Sequence, residues 1–418
     1  MSSESPLTRG VTSTRNSSAH GARATLESAP RVNAAPTTQE ALAGRTVMFA
    51  SHYATSGPAD ALEEYAAERA KRLVAIYHAF PYALVVESRV RRWRWGRLAS
   101  SGTSRWSARI PGPLTWTKEL AQTVWWGLRT PGRIDLFVGI DSLNALAGIV
   151  LRFLGKVDRV AFWTIDYVPN RFRNPVLNRI YHALDRLCVA RCDETWNVSP
   201  RMATARADVG IEGRQRVVPI GAHAHPLGSP AEPHRIVYMG SLLEKQGVQV
   251  ALRALPSVRS EVPDAELLVI GDGPYRTALD RLVSELRLED AVRFTGYVSD
   301  HGTVEALIAD SGVALATYDP ADAGFTYFAD PGKIRNYLAM GVPVVATDVP
   351  HSARWLARAG AGVVVEYTAE AIAAGIVQLL DDAIARVAAA ALGAEGEWSS
   401  IFGEAFAGLF REERAGRT

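Results

Sequence analysis

The sequence has little cysteine: Cys188 and Cys192 are the only two in 418 residues. They stand four residues apart on a predicted helix, a spacing that suits neither a usual disulfide nor a complete metal site. So few cysteines in so long a chain indicate a reducing compartment. We therefore expect a cytoplasmic protein.

Long apolar segments are also missing. No stretch approaches 18 uninterrupted apolar residues, so the sequence predicts no transmembrane helix. Residues 1–43 contain no apolar segment of the kind found in a cleavable signal. They are rich in Ser, Ala, Thr and Arg, and we predict a disordered tail there. A transit peptide has a similar composition and stays open as an alternative.

Several chemical signatures are absent from the sequence as well. The formal net charge is only +2, so the overall charge identifies no partner. We find no DxD pair in a suitable context and no metal-binding cluster, and we expect no metal. No G-x-G-x-x-G follows the first predicted strand, which argues against a nicotinamide-dependent dehydrogenase.

The pattern that is present is an alternation of strands and helices in two halves. In the first half we predict strands at residues 45–53, 134–140 and 159–165, and helices at 58–78 and 175–191. Residues 223–234 are rich in Pro and Gly and are predicted to form a linker. The alternation then starts again and ends with an amphipathic helix near 398–413. Such alternation indicates an α/β protein with two doubly wound, Rossmann-like domains.

The stretch YFADPGKIRNYLAMGVPVVATDVP, residues 327–350, contains an electrostatic conflict. Asp330 is a good helix N-cap and Pro331 suits the first helical position. Lys333 would then stand in the first turn, where the helix dipole disfavours a cation. We expect an anion to resolve this conflict.

Three further motifs make the second half recognisable: MGSLLEKQGVQVALRAL, IGDGPYRTALDRLVSELRLEDAVRFTGYV and GVPVVATDVP. Together they resemble the nucleotide-sugar half of GT-B glycosyltransferases, especially the large retaining family 4, over residues 234–385. The resemblance implies two domains that face each other across a cleft. It predicts an acceptor domain at 44–225, a donor domain at 234–390, and a last segment, 391–418, that crosses back to the first domain.

The stretch around Lys333 departs from family 4, whose two glutamates are replaced here by Phe328 and Asn336. GKIRN followed by YLAMG is closer to the xanthan-type membrane-associated glucuronosyltransferase, an inverting enzyme. That resemblance implies donor contacts for Lys333, Asn336 and Tyr318, and it implies Asp166 as the catalytic base.

The resemblance to glycosyltransferases extends the donor site to further residues. Gly332 would let a phosphate approach the main chain, and Ser241 and Lys245 would bind phosphate oxygens. Gln246 stands where the family usually has its lysine, so whether Lys245 or Gln246 faces the donor is open. Tyr297 and Val298 follow F-T-G where the family seats the nucleotide base.

On the acceptor side, Asp166 follows a predicted strand whose end opens onto the cleft. An inverting transfer needs one carboxylate to take the acceptor's proton, although Asp166 could instead cap the turn before Pro169. His52 is a second catalytic candidate at the end of the first strand, with a structural role as the alternative. Asp141 could cap a helix or face the acceptor.

A basic and aromatic segment covers residues 89–133, with ten Lys or Arg against one acidic residue. Its centre predicts either a membrane or acceptor face, or a solvated loop with some packed tryptophans: Arg92, Trp93, Arg94 and Trp95. The charge alone would also suit nucleic acid, but no companion motif supports that, and we expect none to bind.

The sequence therefore predicts a GT-B glycosyltransferase that uses a nucleotide diphosphate sugar, with a UDP-sugar favoured, and no further cofactor. Its acceptor would be a saccharide, a lipid-linked glycan or a natural product. Peripheral contact with the inner face of the cell membrane would suit a lipid-linked acceptor. A nucleotide-sugar 2-epimerase-like isomerase and a non-catalytic nucleotide-sugar-binding subunit remain as alternatives.

Overall fold

The described part of the chain begins inside the predicted tail. In a computed structural model, the structure describes residues 41–53, 57–79, 87–104, 112–322 and 324–411. Most of the tail predicted over residues 1–43 lies outside these residues. Ala41 and Leu42 are described and are buried against the N-terminal core. The predicted tail is therefore too long by at least these two residues, which belong to the N-terminal core.

The first half of the described chain forms an eight-stranded sheet with the order β4-β3-β2-β1-β5-β6-β7-β8. Its strands are β1 (Thr46–Tyr53), β2 (Arg72–Ala79), β3 (Arg89–Arg94), β4 (Arg97–Thr103), β5 (Ile134–Ile140), β6 (Val157–Thr164), β7 (Glu194–Asn197) and β8 (Gln215–Val217). In register, Met48 of β1 pairs in parallel with Val74 of β2 and Phe137 of β5. At one edge, β3 and β4 form an antiparallel hairpin.

Helices connect most of these strands and cover the sheet. They are α1 (Pro58–Arg69), α2 (Gly112–Arg129), α3 (Ser142–Phe153), α4 (Pro175–Arg191) and α5 (Pro200–Ala207). The start of α4 follows directly from its sequence, because the Asn174 side chain accepts hydrogen bonds from Val176 N and Leu177 N, with Pro175 at the first position.

The helix predicted over residues 58–78 is wrong in its second half. Helix α1 ends at Arg69, and RLVAIYHA forms β2 instead. The six central residues of β2 are all buried. Consecutive buried apolar residues are typical of a parallel strand covered on both faces, and Val, Ile and Tyr favour strands.

The second half forms a six-stranded parallel sheet with the order β11-β10-β9-β12-β13-β14. Its strands are β9 (Glu232–Met239), β10 (Glu266–Ile270), β11 (Val292–Gly296), β12 (Ser311–Ala316), β13 (Val344–Thr347) and β14 (Gly362–Val365). Its helices are α6 (Val248–Glu261), α7 (Arg276–Leu286), α8 (His301–Ala309), α9 (Gly324–Ala329), α10 (Lys333–Ala339), α11 (His351–Arg358), α12 (Ala369–Leu379) and α13 (Ala383–Glu395).

Both faces of the second sheet are buried, as a doubly wound fold requires. Successive residues of β9 alternate between two apolar cores: Ile236 and Tyr238 lie in one, and Val237 lies in the other. Helices α6, α7 and α12 contribute to the first core, and α8, α10 and α11 contribute to the second. The predicted α/β class with two Rossmann-like sheets is confirmed.

The last helix, α14 (Trp398–Phe410), leaves the second half and packs into the N-terminal core. The rings of Trp163 and Phe402 lie 5.6 Å apart between centroids, and those of Trp196 and Phe406 lie 5.4 Å apart. This helix therefore supplies aromatic side chains that the N-terminal core would otherwise lack. Within the described ranges, we find no helix that combines the length and apolar character needed to cross a bilayer.

Candidate functional site

The strand order of the second sheet identifies where a ligand would bind. The chain passes from β9 to β10 on one side, and β12 lies on the other side of β9. In open α/β sheets, ligands bind beyond the carboxyl ends of the strands at such a switch point. Here those ends are Met239 and Ala316, and the predicted donor residues lie close to them in the sequence.

Two glycines with positive φ angles form turns at this switch point. Gly240 and Gly271 have positive φ angles of 146° and 131°, which favour glycine. A Cβ on Gly271 would lie 2.0 Å from the carbonyl oxygen of Gly240, so the two turns are in contact. A Cβ on Gly240 would lie 3.0 Å from Lys333 Nζ. The lysine identified from the sequence therefore reaches the first glycine turn.

The ammonium group of Lys333 is enclosed by aromatic rings and neutral polar groups. Its Nζ donates a hydrogen bond of 2.8 Å to Gln246 Oε1. It lies 4.2 Å from the ring centroid of Tyr238 and 4.9 Å from that of Tyr318. In the described part of the chain, Lys333 forms no ion pair with a carboxylate. Burial lowers its pKa to about 7. A cation held this way is stabilised by an arriving anion.

Neighbouring tyrosines complete the surroundings of Lys333. The hydroxyl of Tyr318 is buried and has no hydrogen-bond partner among the described residues. Tyr238 donates to the carbonyl oxygen of Ser241 at 3.0 Å, and Met239 N donates to the hydroxyl of Tyr337 at 2.8 Å. The site thus holds a buried phenol and a buried cation that a ligand could satisfy together.

The helix start predicted at Asp330 and Pro331 is wrong. Helix α10 begins at Lys333, with Gly332 as its N-cap residue. Asp330 has a φ of 51° and accepts hydrogen bonds from Ser352 N and Oγ at 2.9 and 2.7 Å, which holds it against α11. Because α10 has only seven residues, its dipole matters less than the burial of Lys333. The electrostatic conflict seen in the sequence is real, but desolvation is its cause.

The remaining donor residues occupy different positions. Ser241 is exposed beside the glycine turn, and Lys245 is half-buried with its carbonyl oxygen accepting from Asp319 N at 3.0 Å. A Cβ on Gly332 would lie 2.9 Å from the Ile220 side chain, so the main chain of Gly332 packs closely against that residue. Gln246, whose role the sequence left open, is the side chain that contacts Lys333.

Three further predicted donor residues lie in the elements around this site, and their side chains form no hydrogen bond to it within the described residues. Asn336 lies one turn after Lys333 in α10 and is half-buried. Tyr297 is exposed and Val298 is half-buried, and both follow β11. The end of β11 is tied to the second glycine turn, because Gly271 N donates to Gly296 O at 3.0 Å.

The first sheet has its own switch point, between β1 and β5. The carboxyl ends of β1, β5 and β6 carry His52, Asp141 and Asp166, so all three acceptor-side candidates lie at one edge of the sheet. Asp141 has a φ of 74°, and its Oδ1 caps α3 by accepting from Leu143 N and Asn144 N. The helix-capping role predicted as one alternative for Asp141 is therefore present.

His52 lies between two carboxylates. Its Nδ1 is 2.7 Å from Asp141 Oδ2, and its Nε2 is 3.2 Å from Glu119 Oε2. Glu119 is only 3% exposed. Burial alone would lower the pKa of His52, but the charges and hydrogen bonds of Asp141 and Glu119 raise it to about 10. His52 is therefore an imidazolium near neutral pH and has no free nitrogen to accept a proton.

This charged group predicts a pH-dependent loss of stability in His52→Gln. Removing the imidazolium leaves the buried Glu119 without its cation, which should cost about 3 kcal/mol. Because the folded-state pKa is raised above the ordinary 6.5, the stabilisation is full below pH 6.5 and fades as pH rises toward about 10. Urea unfolding at pH 6, 8 and 10 measures this difference.

His234 provides a matched control, since it is half-buried and also contacts two carboxylates, those of the exposed Asp264 and Asp381. His234→Gln should change the unfolding midpoint little, because exposed ion pairs contribute little. An equal loss at all three pH values in His52→Gln would contradict the proposed charge state of His52.

Asp166 is accessible but is ion-paired. Its side chain is 39% exposed, and its Oδ2 lies 2.6 Å from Arg171 Nη1. The same guanidinium also donates to the main-chain oxygen of Asp166 at 2.9 Å. The proximity of Asp166 helps to raise the pKa of Arg171 against the opposing effect of burial. The ion pair occupies Oδ2 of Asp166, so the second carboxylate oxygen, Oδ1, is the atom that could accept a proton.

Part of the chain matches a known protein family. Residues 233–382 match the family model described as glycosyl transferases group 1. WcaL of Escherichia coli, a glycosyltransferase assigned to colanic acid biosynthesis, is 30% identical over 225 residues, which are 52% of this chain and 54% of WcaL.

Two other relatives have shorter or weaker matches. The lipopolysaccharide core biosynthesis glycosyltransferase LpsD of Rhizobium meliloti is 30% identical over 29% of this chain and 37% of LpsD. A GDP-mannose-dependent phosphatidylinositol monomannoside mannosyltransferase of Corynebacterium glutamicum is 28% identical over 41% of this chain and 45% of that protein. The chain thus spans about half or less of the length of these relatives.

Solved structures match nearly the whole chain. Sucrose-phosphate synthase from Thermosynechococcus elongatus has a TM-score of 0.62 at 17% identity, covering 89% of this chain and all of that one. Anabaena Alr3699/HepE in complex with UDP-glucose has a TM-score of 0.61 at 16% identity, covering 88% and 99%. At this identity the likeness concerns the fold alone, and it confirms the predicted GT-B architecture.

Proposed function

We propose that this chain is a glycosyltransferase that transfers a sugar from a nucleotide diphosphate sugar to a hydroxyl group. The acceptor would be a glycan, a lipid-linked saccharide or a natural product in polysaccharide or glycoconjugate biosynthesis. The observation that carries the proposal is the enclosed Lys333, a cation without a carboxylate partner in the described chain, at the β9/β12 switch point. This lysine lies within the residues that match glycosyl transferases group 1.

The donor-side residues have complementary tasks in this proposal. The diphosphate would lie beside the glycine turns at Gly240 and Gly271, the first of which is close to Lys333 Nζ. Lys333 would neutralise the charge that builds on the departing diphosphate. Tyr318 would donate its unpartnered hydroxyl, and Ser241 would bind a phosphate oxygen from the rim. Tyr297 and Val298 would contact the nucleotide base.

The similarity to the xanthan-type glucuronosyltransferase supports a finer proposal about chemistry. Lys333 and Asn336, with Tyr318 fifteen residues before the lysine, would hold the donor. Asp166 would take the proton of the acceptor hydroxyl, which then attacks the anomeric carbon and displaces the nucleoside diphosphate with inversion. His52 would contribute as a fixed positive charge beside the acceptor, because both of its nitrogens face carboxylates.

A ligand screen tests the proposed function without knowledge of the acceptor. We expect one of UDP-, GDP- or dTDP-sugars to raise the melting temperature, since a ligand at 100 times its Kd stabilises the folded state by about 2.7 kcal/mol. If no UDP-, GDP- or dTDP-sugar changes the melting temperature, the result contradicts a nucleotide-sugar site. Conversion of the donor without any acceptor would instead indicate the 2-epimerase-like alternative.

Peripheral membrane contact is proposed for the β3–β4 hairpin. Trp95 at its turn is 61% exposed, Leu98 is 46% exposed, and the basic side chains of Arg94 and Arg97 flank them. Trp at the interface and Arg near anionic headgroups suit a bilayer surface. Trp93 does not belong to this exposed face, because it packs against the N-terminal core and donates to Glu63. Trp106, in the same basic segment, lies outside the described residues.

Replacing Trp95 and Leu98 together by serine should weaken binding to vesicles containing phosphatidylglycerol by about tenfold or more, since each buried apolar side chain contributes about 1.5–3 kcal/mol. Co-sedimentation measures the bound fraction. Phe153→Ser is the control, because Phe153 is 90% exposed but lies on α3. Unchanged binding by the double variant would leave the hairpin without a membrane role.

A further inference from the structure

A second cavity lies between the two domains, beside the far strands of both sheets. Its volume is about 740 Å³. Its N-terminal wall includes Val198, directly after β7, and Val217, at the end of β8. Its C-terminal wall includes Asp348, directly after β13, and residues of α11. The residues that line this cavity do not include the donor-side Lys333 and Tyr318 or the acceptor-side Asp166.

Helix α10 contributes one residue to this cavity and another to the candidate donor site, on different sides of the helix. Lys333 and Arg335 are two residues apart, so their side chains point about 200° apart around the helix. Lys333 contacts Tyr238, Tyr318 and Gln246, whereas the Arg335 guanidinium lies 4.5 Å from the ring centroid of Trp355. Arg335 and Trp355 line the cavity, and Lys333 does not.

The cavity has an excess of positive charge. Four arginines line it: Arg201, Arg335, Arg354 and Arg358. His351 also lines it, but burial lowers the pKa of its imidazole, so it adds no charge near neutral pH. The carboxylates on its wall are those of Asp330 and Asp348, and both are already engaged. Asp348 accepts a hydrogen bond from Arg354 Nε at 2.8 Å, and Asp330 accepts from Ser352.

The other three arginines have no carboxylate partner in the part of the chain that the structure describes. Arg201 donates to the carbonyl oxygens of Tyr327 and Val349, which fixes its position at the domain interface. Among the described residues, none accepts a hydrogen bond from the buried Nε of Arg335, and Arg358 is exposed at the rim. Burying a guanidinium nitrogen without a hydrogen-bond acceptor costs free energy, and an anion bound in this cavity would supply the missing acceptor.

We propose that this cavity binds a phosphoryl group, as a second anion site apart from the donor diphosphate. Arginine presents several N–H donors in a planar fork that matches phosphate oxygens, and three arginines without a carboxylate partner in the described chain line this cavity. A doubly charged phosphoryl group would balance more of this charge than a carboxylate. The volume leaves room for an attached sugar or glycerol group. The phosphate can come from a soluble phosphate ester or from a lipid headgroup.

Titration calorimetry with inorganic pyrophosphate on the full chain, in the presence of saturating UDP, tests this site. We expect Arg358→Gln to weaken pyrophosphate binding about tenfold and Arg335→Gln combined with Arg358→Gln to weaken it about a hundredfold. Lys333→Ala should leave this affinity within about twofold. Arg259→Gln is the matched control, since Arg259 pairs with Asp290 at the end of α6. Arg358 is exposed, so its variant keeps the fold even if the double variant does not.

Equal pyrophosphate affinity in wild type and Arg358→Gln would overturn the proposal, as would loss of the site in Lys333→Ala alone. If UDP does not bind, the donor-site proposal fails, and the same titrations without UDP still decide this one. Glycerol 3-phosphate and vesicles containing phosphatidic acid then distinguish the sources. Displacement of pyrophosphate by glycerol 3-phosphate supports a soluble phosphate ester, displacement by the vesicles supports a lipid headgroup, and displacement by neither refutes both proposed sources.

Discussion

Replacing Lys333 by alanine should weaken the binding of a nucleoside diphosphate by about a hundredfold. A hydrogen bond to a charged group contributes about 1.5–3 kcal/mol, and each 1.4 kcal/mol changes an affinity tenfold. The folded state should tolerate the change, because Lys333 lacks a carboxylate partner among the described residues and its burial as a cation is unfavourable. Calorimetry with UDP measures the effect, and an unchanged Kd would refute the role of Lys333.

The same lysine predicts proton uptake on binding. Its pKa is about 7 in the free protein, and a bound diphosphate raises the pKa because it favours the charged form. Below pH 7 the lysine is already charged, so affinity should be nearly constant there. Above pH 7 affinity should fall up to tenfold per pH unit, until the pKa of the complex is reached.

Titrations at pH 8 in buffers of different ionisation enthalpy measure this proton uptake directly. Lys156→Ala is a suitable control, because Lys156 Nζ donates to the carbonyl oxygens of Thr130 and Gly132 in the other domain. It should retain the uptake that Lys333→Ala loses. Binding heats that do not depend on the buffer in the wild-type protein would show that Lys333 does not titrate on binding.

Asp166→Asn should reduce turnover by about a thousandfold while donor binding is retained. A positioned base contributes about 10²–10⁴ in rate, and the amide cannot take a proton. Steady-state transfer assays, with UDP affinity measured in parallel, separate chemistry from binding. Asp158→Asn is the control, since Asp158 also lies on β6 and forms an ion pair with an arginine, Arg133.

Normal turnover in Asp166→Asn would exclude Asp166 as the base. The stereochemistry of the product gives a second test, because a base that activates the acceptor for direct displacement inverts the anomeric centre. Retention at that centre, measured by NMR, would contradict the proposed route even if turnover fell. In that case the loss would reflect the Asp166–Arg171 ion pair as a structural element.

The sequence predicted the two-sheet architecture because most strands and helices have clear local patterns. Lys333 was also accessible to prediction, since it stands in a stretch with strong helix and strand signals. The failures have a common cause. Asp330 looks like an N-cap locally, but it bonds to Ser352, 22 residues away. Local signals do not report such contacts.

The charged group around His52 shows the same limit. Glu119 is 67 residues from His52 and lies in a helix that the sequence analysis treated only as part of a basic segment. Its burial beside an imidazolium depends on how α2 packs over the sheet. Gln246 was noted at the family's lysine position, but only the packing of α10 against β9 shows that it contacts Lys333.

Helix α14 has a consequence for how the protein is made. Trp398, Phe402 and Phe406 are translated after the whole second sheet, yet they pack against Trp163 and Trp196 of the first half. Domains generally fold as units during synthesis, with the N-terminal domain first. Here the aromatic core of the earlier domain can close only after α14 has been translated, so nascent chains stalled before residue 398 should expose Trp163 and Trp196 to chaperones and proteases.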